Sequence, residues 1–400
     1  MLKKLPRITL PKSSPTVAGV GLRHVPGLDG LRGIAILLVI PHNIDVLPAP
    51  GPLEYPVAIL MHAGWIGVQL FFVLSGFLIT GALLESRRAD NYFKVFFARR
   101  VLRIFPLYYA VLISVLVLAP ILFQVPEVLR TTRQHQVWLW TFLSNWTLPF
   151  GLGVAAFGPF WSLAVEEQFY LLWPFVVRRC TIKLFLYVCA ILTVAALLFR
   201  VIAVAEGWPK LVPYMFTISR MDALACGAAA AAVLQIPGSM ELLRRWSLPL
   251  TSFCWVLFFA AALVTRGYSM FDPICETLGH TVLAAVFAVT VLLVSVPKRI
   301  PASVARRALS IPLLRMIGRY SFAMYLFHLP LHMFIGIPLL NRFSPQLPPW
   351  AAVAYTASLT LTVFILGALS YWLFESRFLS LKKYFVPVIE SGHRQRQFAG

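Results

Sequence analysis

Acidic residues are scarce: Asp and Glu together number 15 in 400 residues, and all charged residues make up only 12%. A soluble domain carries about a quarter charged residues. The deficit therefore excludes an ordinary soluble enzyme and points to a polytopic membrane protein. Cysteine is scarce too. Cys180, Cys189, Cys226, Cys254 and Cys275 are odd in number, scattered, and mostly inside apolar runs. They show neither a disulfide framework nor metal-ligand spacing, so they read as small buried hydrophobes and no metal is expected. The first 26 residues lack an apolar core and a small-residue cleavage site. That is not a signal peptide, so the first apolar run stays as a span. No internal repeat is evident, which weighs against a transporter built on inverted halves. A transporter or flippase of a polar metabolite is the alternative to an enzyme.

What is abundant is apolar, at 59% of the chain, and basic, with a net charge of +20. Such a charge in a soluble protein would point to nucleic acid. Here the basic residues fall in short clusters between apolar runs, the pattern of cytoplasmic membrane loops, and nucleic acid is not expected as a partner. A crossing needs about 17–25 residues. Runs of that kind lie near 30–48, 64–84, 101–123, 160–177, 182–205, 217–236, 249–265, 277–296, 317–339 and 351–374. The expected fold is an all-α transmembrane bundle of about ten spans.

Loop charge orients it. Lys3, Lys4, Arg7, Lys12 and Arg23 hold the N-terminus inside, and Lys382, Lys383, Arg394 and Arg396 hold the tail inside. The 43–63 loop has Asp45 and Glu54 without a single Lys or Arg, so it lies outside; Arg87, Arg88 and Lys94 put the next loop inside. Parity of crossings makes 137–158 a re-entrant or outer-surface segment, broken by Asn145, Pro149, Gly151 and Gly153. The resulting division is a basic cytoplasmic segment at 1–26, a membrane domain at 27–378 and a basic cytoplasmic tail at 379–400. The expected location is the cell inner (plasma) membrane, multi-pass.

Ionisable residues inside such runs are functional candidates, because burying them in lipid is costly. The first run carries Asp29, Arg32 and His42. Arg32 stands near its cytoplasmic start, and His42 lies about 15 Å further along a helix, in the outer half. A neutral imidazole can take a proton from a hydroxyl near pH 7; alone, a histidine at a helix end more often has a structural role. In the second run Gly67, Ser75 and Gly76 permit close helix contact, and Gln69 is the polar residue with most to explain. Arg100 and Arg103, three apart, share a helix face at the inner mouth beside Arg99, where guanidinium forks suit phosphate. Positive-inside anchoring explains Arg87, Arg88 and Lys94, but Arg103 is already within an apolar run. Glu166 and Glu167 enter the fourth run together, and on a helix they point about 100° apart. Arg220 and Asp222 are acceptor-side or structural residues. His328 reads as a satisfied core histidine, and Glu375 and Arg377 as structural.

Taken together, these segments resemble the acyltransferase-3 family of integral-membrane acyltransferases. The resemblance rests on LDGLRGIAILLV at 28–39, GVQLFFVLSGFLIT at 67–80, RRVLRIFPLYY at 99–109, WSLAVEEQFYLLWP at 161–174, RMDALACG at 220–227 and GRYSFAMYLFH at 318–328. It implies an acyl-CoA donor, usually acetyl-CoA, used from the cytoplasmic side. It implies as acceptor a hydroxyl on a glycan, a lipid-linked sugar or a small natural product. Carried over residue by residue, it implies Arg32 and His42 as the catalytic pair of the first helix, with Glu166 and Glu167 as the acidic motif. Arg100 and Arg103 match the family's arginine pair and, with Arg99, form the expected donor site; Asp29, Gln69, Ser75, Arg220 and Asp222 are, on the reading of the residues themselves, the candidate substrate contacts. The chain departs from the family pattern in two places. Nine residues, not ten, separate Arg32 from His42. An eleven-residue step returns to within about 20° of the same face, so Asn43 and not His42 is in phase with Arg32 unless Pro41 kinks the helix. Gln69 stands where many relatives carry an acid.

Overall fold

A computed structural model describes residues 25–46, 58, 61–122, 127–152, 155–264, 269–295, 307–343 and 348–388. Most of the basic N-terminal segment, residues 47–57 of the loop expected outside, the basic residues Lys298 and Arg299, and the tail after 388 lie outside the described residues.

Among the described residues the regular structure is helical, without strands. The long helices are α1 (Pro26–Ile44), α2 (Ile66–Glu85), α3 (Tyr92–Leu112), α4 (Phe160–Arg179), α5 (Ile182–Ala205), α6 (Thr217–Val233), α7 (Ser239–Val264), α8 (His280–Ser295), α9 (Pro312–Leu331) and α10 (Pro349–Ser370). With the turns that extend them, eight helical stretches among the described residues are long and apolar enough to cross a membrane; α4 is of similar length but more polar, and α7 contains the shorter apolar stretch Pro249–Ala260. Several begin on proline, which has no N–H to leave unsatisfied in a first turn: Pro26, Pro312 and Pro349 open α1, α9 and α10. Asp45 closes α1 in the left-handed region, at φ 34° and ψ 56°, its N–H bonded to the Pro41 carbonyl.

Expected spans that start earlier in the structure include the first, at Pro26, the seventh, at Ser239 rather than 249, and two whose early turns are telling. The third, expected from 101, begins at Tyr92, and the ninth begins at Pro312 rather than 317. Both early turns are basic, so a hydropathy window misses them, although the backbone hydrogen-bond ladder runs through them unbroken. The 137–158 stretch is not a long helix. It folds as short helical turns at Val137–Trp140, Ser144–Thr147 and Leu148–Phe150. Tyr108 and Gln168 pin it to the bundle, Tyr108 Oη donating to the Leu139 carbonyl at 2.8 Å and Gln168 Nε2 to the Phe142 carbonyl at 2.9 Å.

Close backbone approach sets the core. In lipid no hydrophobic force drives helices together, so small residues at the crossings matter most. A Cβ on Gly76 of α2 would stand 2.0 Å from the Leu224 carbonyl of α6, and one on Gly227 of α6 would stand 2.0 Å from the Val73 carbonyl of α2. A side chain at either site would force the two helices apart. α1 is seated on α9 in the same way, with Gly318 against the Asp29 carbonyl. Around these pairs α3 and α4 close one side and α5 and α8 the other.

Candidate functional site

Five helices converge on one cavity of about 100 Å³. Arg32 enters it from α1, Ser75 from α2, Arg100 and Arg103 from α3, Ser162, Glu166 and Tyr170 from α4, and Ser321 and Tyr325 from α9. Phe71, Phe72, Leu78 and Phe322 line the apolar part. The three-residue spacing of Arg100 and Arg103 does put both on the cavity face. Arg99, one position away, turns aside and donates from Nε to the Phe385 carbonyl at 2.7 Å. The two glutamates separate as helical geometry requires: Glu166 lines the cavity and Glu167 does not.

The hydroxyls form an ordered chain. Tyr170 Oη donates to Glu166 Oε2 at 3.0 Å, and Ser75 Oγ is hydrogen-bonded to the same phenol. Towards the other end of the cavity, Tyr325 Oη donates to the Pro159 carbonyl at 2.7 Å and stands 2.6 Å from Ser162 Oγ. The cations are less satisfied. Arg100 lies against the rings of Phe96 and Tyr170, and its Nε is buried without a hydrogen-bond partner. Glu167 Oε1 is likewise buried and unpartnered. Among the described residues, no carboxylate comes within ion-pair distance of Arg32, Arg100 or Arg103; Arg200 and Asp222 form a direct ion pair elsewhere in the bundle. Guanidinium groups so arranged can take an anion.

The helix-phase question at the end of α1 is answered by contacts. α1 stays helical through Pro41. Asn43, in phase with Arg32, faces α9, its Nδ2 3.1 Å from His328 Nε2. His328 Nδ1 is 2.7 Å from the Tyr325 carbonyl, which can only accept. The ring therefore carries its proton on Nδ1 and accepts from the Asn43 amide at Nε2. His328 is fully buried with both nitrogens engaged, in keeping with a core histidine. His42 lies to the side of the cavity and does not line it. It packs against Gly64, with Nδ1 3.1 Å from the Met61 carbonyl. The same logic puts the His42 proton on Nδ1 and leaves Nε2 unprotonated, on a half-buried ring near the C-terminal end of α1.

A second polar cluster gathers Gln69, Arg220 and Asp222, away from the cavity. Arg200 Nη2 pairs with Asp222 Oδ2 at 2.7 Å and donates to Thr281 Oγ1 at 2.6 Å, and both partners of the ion pair are fully buried. Arg220 Nη1 reaches Gln69 Oε1 at 3.1 Å and His280 Nδ1 at 2.8 Å, and its guanidinium lies 4.4 Å from the Tyr214 ring centroid. Gln69 Nε2 donates to the His280 carbonyl at 2.9 Å. These groups satisfy one another across α2, α5, α6 and α8, and none of the three lines the cavity. Asp29 also lies outside the lining, on the α1–α9 contact.

Sequence reasoning missed Tyr170, Ser162 and Tyr325, since a tyrosine or serine in an apolar run carries no signal of its own. It also missed Arg200, although a lone arginine inside the 182–205 run was a visible signal of an internal partner.

A family model described as an acyltransferase domain matches residues 25–368. The chain is 29% identical over 377 residues to "Peptidoglycan O-acetyltransferase OatA" of Listeria monocytogenes, covering 88% of this chain and 56% of that protein. It is 30% identical over 327 residues to "Putative peptidoglycan O-acetyltransferase YrhL" of Bacillus subtilis, covering 77% of this chain and 48% of the relative. It is 25% identical over 350 residues to "O-acetyltransferase OatA" of Staphylococcus aureus, covering 78% and 51%. The chain thus spans about half the length of these relatives. No solved structure matches.

Proposed function

We propose that this chain, which belongs to the acyltransferase-3 family of integral-membrane acyltransferases, moves an acetyl group from acetyl-CoA on the cytoplasmic side to a hydroxyl of a carbohydrate. The observation that carries the reading is the convergence of Arg32, Arg100 and Arg103 on one cavity without a carboxylate at ion-pair distance. Three guanidinium groups facing a partly apolar cavity suit a ligand that is phosphorylated at one end and uncharged at the other. In this reading Arg100 and Arg103 take donor phosphates, and the thioester arm runs outward past Ser75 and Tyr170. The relatives named for peptidoglycan O-acetylation favour a cell-wall or other surface glycan as the acceptor.

The acceptor approaches from outside, where His42 presents its Nε2. There His42 removes the acceptor hydroxyl proton, the oxygen attacks the acyl carbon and forms an ester, and the C–S bond breaks. The departing thiolate takes up the proton. Glu166, held by Tyr170, orients the cavity's hydroxyls, and Glu167 stays behind it as a second carboxylate near Arg100.

Incubating membranes with acetyl-labelled CoA and identifying the labelled product by mass spectrometry tests the reaction. Labelled ester on a carbohydrate is expected; absence of any acetyl-CoA-dependent product would remove the donor reading. Arg103→Ala is expected to raise the acetyl-CoA concentration needed for half-maximal rate about tenfold or more, since a hydrogen bond to a charged group contributes ~1.5–3 kcal/mol. An unchanged requirement would leave Arg103 as a membrane anchor only.

The orientation belongs to the same proposal. Both termini and the 86–91 turn face the cytoplasm of a plasma-membrane protein, and the 43–63 loop faces outward. A single cysteine in 43–63 should react with an impermeant reagent on intact cells, and one in 86–91 only after permeabilisation. The opposite pattern would place the arginines on the wrong side for cytoplasmic CoA.

A further inference from the structure

Beyond the last long helix the chain turns back onto α3. After the helical turn Ser376–Ser380 comes a short turn, Leu381–Tyr384, then an extended strap to residue 388. Four hydrogen bonds fasten the strap to the start of α3 and the turn before it. Arg99 Nε donates to the Phe385 carbonyl at 2.7 Å, and Asn91 Nδ2 to the Val386 carbonyl at 2.9 Å. The Val388 N–H donates to Asn91 Oδ1 at 3.0 Å, and the Asp90 N–H to the Val388 carbonyl at 3.0 Å. An exposed, irregular segment gains little by lying along a basic helix. This one is nonetheless fixed at both the side chain of Asn91 and the backbone of Asp90.

The turn Leu381–Tyr384, which carries Lys382, packs against α3, the helix that bears Arg99, Arg100 and Arg103. The ammonium is partly buried and lies in the repulsive field of Arg103, Arg100 and Arg99. Like charges gathered at a half-buried site cost free energy, and an opposite charge placed among them recovers it. Glu375, whose Oε1 accepts from Ser370 at 3.3 Å, faces Arg103, and Glu166 and Glu167 face Arg100, but among the described residues none of these carboxylates makes an ion pair with the cations. Arg100 adds the independent sign of a missing ligand, its buried Nε without a partner.

Building on the acetyl-CoA reading above, we infer that the 381–388 strap forms one wall of the donor's nucleotide site, with Lys382 as a phosphate-binding residue beside Arg100 and Arg103. The ligand chemistry is a polyphosphorylated nucleotide, because three cations, Lys382, Arg100 and Arg103, without an ion-paired carboxylate outmatch a single phosphate. Arg99 then has a different role from its neighbours. Its bond to Phe385 holds the strap in place, which makes it a positioning residue.

The test compares two donors. Acetyl-CoA carries the phosphates; S-acetylpantetheine presents the same thioester without them. For purified full-length protein, Lys382→Ala is expected to raise KM for acetyl-CoA about tenfold, as for loss of a charge-assisted hydrogen bond. It should leave kcat within about twofold, and leave the kinetics with S-acetylpantetheine unchanged. Lys382→Arg should restore most of the affinity. Lys383→Ala should match wild type, since that exposed ammonium lies over the Tyr384 ring instead. An unchanged KM for acetyl-CoA in Lys382→Ala overturns the inference while leaving the acyltransferase reading intact. An equal rise for both donors also overturns it, by showing that Lys382 merely supports the fold. If neither donor supports transfer by the wild-type protein, the donor reading fails and this inference with it.

Discussion

His42→Gln lowers acetyl transfer about 10²–10⁴-fold in the expected result, the usual contribution of a general acid–base group, with the protein still present in the membrane at normal levels. Glutamine keeps a hydrogen-bonding group opposite the Met61 carbonyl but cannot take the hydroxyl proton. Folding should survive, because the His42 ring is only half buried and lies beside the 63–65 turn, outside the core. The rate is read with acetyl-labelled CoA and quantified ester product. The companion variants are Asn43→Ala and His328→Gln. Asn43 donates to His328 Nε2, so its loss leaves a buried acceptor unsatisfied, at a cost of about 1–3 kcal/mol. That should appear as a lower unfolding temperature with transfer retained. Near-normal transfer by His42→Gln, together with a stable but inactive His328→Gln, would move the base from His42 to His328.

Asp222→Ala should remove most folded protein. The carboxylate is fully buried against Arg200 at 2.7 Å. Deleting it leaves a guanidinium uncompensated inside the bundle, and breaking a buried pair from one side costs ~3–5 kcal/mol. In detergent this should appear as a large fall in the unfolding temperature and in monodisperse yield. The double variant Arg200→Met with Asp222→Leu removes both charges and should recover much of the loss. Normal thermal stability in Asp222→Ala, with transfer abolished, would instead return Asp222 to the acceptor contacts that its motif first implied. Gln69 and Arg220 would follow it, since they belong to the same sheltered cluster.

The helical spans were legible because lipid demands long apolar runs with internally satisfied backbones, and that demand is local. The failure at 92–100 is equally physical. Phe93, Lys94, Arg99 and Arg100 do not look like lipid-exposed residues, yet they continue a helix whose start faces other protein and the strap. The arginine pair was legible from its spacing, and so was the divergence of Glu166 from Glu167, since both follow from the helical period. Tyr170, Ser162 and Tyr325 were not, because a hydroxyl becomes part of a site only when another helix brings it a partner.

The amino-acid sequence by itself determined that this is a helical membrane protein, that Arg32, Arg100, Arg103 and Glu166 stand within its spans, and that Asn43 rather than His42 shares the face of Arg32. Each depends on composition or on the rotation per residue along one helix. Only the tertiary structure decided which of those charges meet. It separated the cavity arginines from the Arg200–Asp222 pair, set His42 against the Met61 carbonyl, and laid the 381–388 strap over the basic end of α3. Those outcomes depend on which backbones can approach. Carbonyl oxygens of neighbouring helices fill the space beside Gly76, Gly227 and Gly318, and the contacts that follow join residues hundreds of positions apart.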